Sequence, residues 1–258
     1  MTAFARYAVY FMPRPGSPLL ERAAHWLGRD ALSGLPLERP PVEGLGDLSP
    51  DRLTAGPRHY GFHATLKAPF EPVPDLTPGD AVRRVRAFAA GRTPFEIRLE
   101  VAPLGRFLAL RLVRPSPEMT DLHWACVREL DALRAPISNS DVVRRRRAGL
   151  SEEEDANLLQ WGYPYIFEGF RFHMTLTSRV TCRESLDSVR DALAAHFAPV
   201  LADPVPVDGV ALFAQLDREA PFTVLDWCPF GADAGADAGA SARADADEAA
   251  PASGSARA

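Results

Sequence analysis

Hydrophobic and polar positions along the chain follow two rhythms, and the changes of rhythm mark the elements. Residues 6–12, RYAVYFM, alternate with a period of two and predict a strand that Pro13, Pro15 and Gly16 end. Ser17, with Glu21 close behind, opens a short helix to Leu27. Residues 30–59, rich in Pro, Gly and Leu, read as a long surface connection with a single turn of helix. Residues 61–70, GFHATLKAPF, alternate again: Phe62, Ala64, Leu66 and Ala68 point one way, His63, Thr65 and Lys67 the other. A helix over 78–90, strands over 94–102 and 106–113 joined at Gly105, and an amphipathic helix over 117–133 follow. Residues 134–169 break the pattern with a loop carrying RRRRAGL, a helix over 151–160 and an aromatic turn, WGYPYIFEG. Alternation returns in 170–179, FRFHMTLTSR, where His173, Thr175 and Thr177 share a face. A helix over 183–196 and strands near 206–214 and 221–228 complete the pattern.

These elements repeat. Phe-His-x-Thr-Leu opens a strand at Phe62 and again at Phe172, and each copy leads into a helix and then two strands. The repeat predicts an α+β fold of two similar lobes, about 1–133 and 134–230, with strand 6–12 shared between them. Two antiparallel sheets would face a central cleft with helices outside. The Ala/Gly/Asp-rich tail over 231–258 is too poor in apolar residues to order itself.

Composition narrows the classes. Charge is near balance at −5, and much of that excess sits in the tail, which argues against broad duplex nucleic-acid binding. No apolar run approaches a membrane span of roughly 20 residues. The N-terminal apolar stretch is too short for a signal peptide. Three scattered cysteines, Cys126, Cys182 and Cys228, fit a reducing cytoplasm. Among 29 basic residues one is lysine, Lys67, so a compact ammonium is expected to matter there.

His and Thr two apart on a strand share one face, roughly 7 Å apart along the backbone. Two such strands face to face offer two imidazoles and two hydroxyls to one small volume. One neutral and one protonated imidazole form a general base and a general acid without a metal. The hydroxyls are donors for phosphoryl oxygens. Paired H-x-[ST] motifs in a duplicated α+β chain resemble the 2H phosphoesterase superfamily. GFHATLKAPF, RYAVYF, WGYPYIFEGFRFHMTLT and LDWCPF are similar to its DUF1045 branch, associated with phosphonate catabolism, over roughly residues 5–230. The resemblance implies a single two-lobe 2H phosphoesterase-like domain over 1–230, with His63, Thr65, His173 and Thr175 as its catalytic tetrad. It implies a cytoplasmic, metal-independent cyclic phosphodiesterase with no cofactor. The substrate would be a small phosphorylated ribose, of the ribose 1,2-cyclic phosphate type, or a nucleoside 2′,3′-cyclic phosphate.

Other residues are candidates for substrate binding. Lys67 and Thr177 continue the two polar faces; Tyr10 either lines the cleft beside the His63 strand or packs as ordinary strand tyrosine. Arg58 and Tyr60, just before the first motif, either clamp phosphate or pack the loop. Tyr163 either walls the cleft or stacks on a base, and the Arg144–Arg147 run either meets an anion or faces solvent. HEXXH, CxxC, GxxxxGK[ST] and GxSxG patterns are absent from the sequence, which counts against standard zinc, P-loop and serine-elbow hydrolases. The remaining alternatives are a non-catalytic nucleotide or RNA-end binder on the same fold, and an RNA 2′-5′ ligase or phosphodiesterase.

Overall fold

The computed structural model describes residues 4–46 and 48–231, so the expected tail lies outside the described residues from 232 on. The chain runs β1 (Arg6–Phe11), α1 (Pro18–Leu27), α2 (Pro50–Tyr60), β2 (Ala64–Phe70), α3 (Pro78–Ala90), β3 (Phe95–Ile97), β4 (Leu99–Leu104) and β5 (Phe107–Leu112). It continues with α4 (Pro117–Glu129), α5 (Asn139–Arg146), α6 (Glu152–Trp161), β6 (Met174–Thr175), α7 (Arg183–Leu201), β7 (Val205–Val207), β8 (Gly209–Gln215) and β9 (Thr223–Pro229). Helix starts are set locally. The side chains of Ser17, Thr77, Ser116, Ser138 and Ser151 each accept a backbone N–H three residues on. Among the described residues no helix is long and apolar enough to cross a membrane.

The α+β class with antiparallel strands forms as expected. The two expected sheets are hydrogen-bonded into one of seven strands, ordered β4-β5-β6-β2-β1-β8-β9, beside a β3–β7 ribbon. Its halves do not follow the halves of the chain. The strands after the first motif, β4 and β5, flank the second motif strand β6. The strands after the second motif, β8 and β9, join the first motif strand β2 through β1. The helices cross in the same way, α3 packing on β8 and β9 and α7 on β4 and β5. Each half of the sheet therefore needs both halves of the sequence to cover its apolar face, which welds the repeats together. The core is continuous across the seam, from Tyr7, Val9 and Phe11 through Leu66 and Met174 to Leu110.

Several elements depart from their expected bounds. Residues 50–60 form a full helix where a connection was expected, and Pro57 lies inside it. Proline removes the N–H that would bond the Leu53 carbonyl, and Ser178 N–H donates to that carbonyl instead. Residues 139–146 are helical behind the Ser138 cap although only Val142 is buried there. The second motif strand is two residues long rather than ten. Its ladder stops because Leu176 and Thr177 both donate to the Leu108 carbonyl, while the Thr177 hydroxyl accepts from Leu108 N–H at 2.9 Å.

Candidate active site

The two motif strands are neighbours. Ala64 pairs with Met174 in an antiparallel bridge, and both point into the core. Continued one step each way, that register sets His63 across from Thr175 and Thr65 across from His173, all four on the opposite face. The chain therefore brings together the tetrad that the sequence put 110 residues apart.

Both histidines are held alike. His63 Nδ1 donates to the Gly61 carbonyl at 2.9 Å, and His173 Nδ1 donates to the Arg171 carbonyl at 2.6 Å. A carbonyl only accepts, so Nδ1 carries the proton and Nε2 keeps its lone pair in each neutral ring. Among the described residues neither the Thr65 nor the Thr175 hydroxyl is hydrogen-bonded to the protein, so both are spare donors, unlike Thr177. Burial pushes His63 down to about 4, against the pull of the Gly61 carbonyl, and the positive charge of His173 pushes it further down. Burial also lowers His173; the Arg171 carbonyl opposes this and the Arg111 charge adds to it.

Tyr10 pairs with Thr65 across β1 and β2, is 1% exposed, and stacks on His63 with ring centroids 3.8 Å apart. It thus packs within the strand and also walls the imidazole. Tyr60 lies beside His63 at 6.1 Å and stacks on Phe222 at 5.4 Å. Tyr163 packs edge-on against Tyr165 with ring centroids 5.7 Å apart, and the Arg145 guanidinium lies 4.8 Å from its ring centre.

Three candidates fall elsewhere. Lys67 does not face the cleft. Tyr10 pairs with Thr65 but Val9 pairs with Lys67, so the pairing slips by one residue and a bulge turns Lys67 to the Val9 side. There it is 4% exposed, donating to the Val127 carbonyl at 3.0 Å and to Asp131 at 2.9 Å. Burial lowers its ammonium and Asp131 works against that. The bulge also frees the Leu66 carbonyl, to which His123 Nδ1 donates at 2.9 Å. Arg58 is held by Asp51 at 2.8 Å and by Thr54 on its own helix. Thr177 is buried, and its hydroxyl fills a gap in the ladder.

Sequence reasoning missed other neighbours of the site. Ala109 pairs with Thr175, which in the same register sets Arg111 across from His173, and the Phe107 ring lies 5.9 Å from that imidazole. Phe213 stands 6.1 Å from His63. The alternation of RFLALRLV carries Phe107 and Arg111 on one face, but only the strand crossing brings that face to the second motif. Among the described residues no three His, Cys, Asp or Glu side chains cluster as metal ligands would.

Comparison with known proteins places the chain. Residues 65–223, more than half of it, match the profile of a family described as protein of unknown function DUF1045. A ribose 1,5-bisphosphate phosphokinase PhnN of Janthinobacterium sp. (strain Marseille) is 37% identical over 232 residues, 88% of this chain and 51% of that protein. The protein of the same name from Laribacter hongkongensis (strain HLHK9) is 37% identical over 217 residues, 84% of this chain and 50% of its own. The chain thus spans about half the length of these curated relatives. Among solved structures, a phosphoesterase is 13% identical with a TM-score of 0.38, covering 88% of this chain and 99% of that one. Escherichia coli LigT in complex with ATP is 12% identical with a TM-score of 0.39, covering 88% and 98%. By its sequence match over residues 65–223, which include Thr65 and the second histidine motif, the chain belongs to the DUF1045 family.

Proposed function

We propose that this protein is a metal-independent phosphoesterase of the 2H type that opens a cyclic phosphodiester of ribose or of a nucleoside. The observation that carries this reading is the shared histidine geometry: two imidazoles, each with Nδ1 locked to a carbonyl and Nε2 free, each across from an unbonded threonine hydroxyl. His63 is the base. This assignment follows from its surroundings: burial pushes it down to about 4, and the charge of His173 pushes it further down. The Nε2 of His63 takes a proton from water as the water oxygen bonds to phosphorus. The bond from phosphorus to one ester oxygen breaks, and Nε2–H of His173 protonates that oxygen. Thr65 and Thr175 donate to the non-bridging oxygens as charge builds there.

The curated relatives are named for ribose 1,5-bisphosphate, which supports a cyclic ribose phosphate as the substrate class. Free thiols at Cys126, Cys182 and Cys228 support a cytoplasmic setting. The test is phosphorus NMR in excess EDTA with ribose 1,2-cyclic phosphate and nucleoside 2′,3′-cyclic phosphates. Ring opening by the native protein, abolished in both His63→Ala and His173→Ala, is the expected result. Ligand binding with no turnover of either class would make the protein a binder instead.

A further inference from the structure

Six residues along from His63, the end of β2 borders a depression lined by Arg6, Arg144, Arg145, Glu71 and Asp141. Arg6, Ala8 and Tyr10 alternate on one face of β1, so Arg6 lies about 13 Å along the strand from the tyrosine that stacks on His63. Its guanidinium lies over the Phe222 ring, 5.4 Å from the centroid, and that ring stacks on Tyr60 and stands 6.4 Å from Tyr10. The Arg145 guanidinium lies 4.8 Å from the ring centre of Tyr163.

The cations here are unequally matched. Glu71 and Asp141 are both bonded to Arg218, and Asp141 also to Arg144 at 2.7 Å. Neither carboxylate is bonded to Arg6 or Arg145. Among the described residues Arg6 donates only through Nε, to Gln215 at 2.7 Å, and neither terminal nitrogen has a partner. Among the described residues Arg145, half-buried, has no hydrogen-bond partner, and its Nε is fully buried. Buried guanidinium donors are ordinarily satisfied, and an orphaned one points to a group that binds there. Two forked donors without carboxylates fit a phosphate monoester dianion.

We propose that Arg6 and Arg145 form a second phosphate subsite, so that the substrate carries a non-reacting phosphate in addition to the cyclic one held by the histidines. This rests on the phosphoesterase reading and sharpens it. The substrate class becomes a pentose cyclic phosphate with a further phosphate on its primary hydroxyl, and ring opening at O2 yields a pentose 1,5-bisphosphate. A reaction that consumes such a bisphosphate is what the relatives' name describes.

The experiment compares ribose 1,2-cyclic phosphate with and without a phosphate on O5, using the native protein, Arg145→Ala, Arg6→Ala and Arg145→Lys. The native protein should prefer the O5-phosphorylated substrate. Each alanine variant should lose roughly 10- to 100-fold in kcat/KM on that substrate and less than about threefold on the other, with partial rescue by lysine. Turnover of the second substrate shows that the variant is folded. Equal losses on both substrates, or no native preference, would overturn the subsite. If the native protein turns over neither substrate, the phosphoesterase reading fails and the subsite is read by calorimetry with ribose 5-phosphate. Binding lost in the Arg6→Ala/Arg145→Ala protein then supports it, and absent or unchanged binding overturns it.

Discussion

The two His-x-Thr segments share four letters and one backbone contact, yet they sit in unlike surroundings. The first precedes a seven-residue strand, lies under Tyr10 and takes its carbonyl from Gly61, whose φ is positive at 78°. The second opens a two-residue strand and takes its carbonyl from Arg171, an exposed residue, with Phe107 and Arg111 alongside. The same imidazole is therefore walled in on one side of the cleft and more open on the other. A repeat supplies two copies of a reactive group, and the strands around each copy give them different proton affinities. The largest expected effect follows. His63→Ala and His173→Ala should each lower kcat by roughly 10²–10⁴-fold, the usual contribution of a positioned acid or base. The two losses should differ by substrate. His173→Ala should be partly relieved by a better leaving group such as p-nitrophenolate, which needs no acid, and His63→Ala should not. Equal relief of both would erase the division of roles.

The carbonyls that hold the rings differ in what they demand of their residues. A β-carbon on Gly61 would meet the Ala31 methyl at 2.6 Å, and the positive φ disfavours any side chain. Gly61→Ala should destabilise the fold by about 1–3 kcal/mol and turn His63 out of position, seen as a lower Tm and a lower kcat together. Arg171 lends only its backbone to His173, so Arg171→Ala should stay within about 0.5 kcal/mol and retain turnover. A stable, active Gly61→Ala protein would show that the Gly61 carbonyl does not set the ring.

What was legible in the sequence was local or repeated. The meeting of the two motifs was legible because alternation fixes which residues share a face and the second copy fixes the meeting place. The lone lysine was a true sign of a special position, but its chemistry was misread. A one-residue slip between β1 and β2 turns Lys67 onto Asp131, and no pattern within GFHATLKAPF announces that slip. Residues 50–60 were hidden by Gly56 and Pro57, whose lost helix bond is replaced from Ser178, more than a hundred residues on. Arg111 and Phe213 reach the site only through the strand crossing, a tertiary fact. Within RRRR, Arg144 pairs with Asp141 and Arg146 with Asp155, while Arg145 turns inward on Tyr163. Helical phase inside that run is set by the Ser138 cap, not by its composition.

The threonines give a smaller contrast. Thr65 has no protein partner for its hydroxyl, whereas the Thr177 hydroxyl is built into the ladder at Leu108. Thr65→Val should therefore lower kcat by about tenfold, one hydrogen bond to a charged oxygen, with Tm unchanged. Thr177→Val should lower stability by about 1–3 kcal/mol, the cost of a buried N–H left unpaired, with kcat held near native at a temperature where the variant is folded. If Thr65→Val shifts Tm and spares kcat, its hydroxyl is structural and the symmetry of the two motifs is confined to the histidines.

The smallest effect concerns pH and again separates the two imidazoles. On the proposed mechanism the active form of the free protein has His173 protonated and His63 neutral. Activity as kcat/KM should rise through the titration of His63 near 4 and fall through that of His173, which lies below the ordinary histidine range of about 6.5. The optimum for kcat/KM is therefore acidic. An anionic substrate favours the protonated ring, so the alkaline limb of kcat should lie at higher pH than that of kcat/KM. Arg111 faces His173 and its charge holds that limb down. Arg111→Gln should move the alkaline limb of kcat/KM upward and leave the acid limb, which belongs to His63, where it was; Arg111→Lys should move neither. Movement of the acid limb instead would exchange the two histidines' roles, because the charge opposite residue 173 would then be acting on the base.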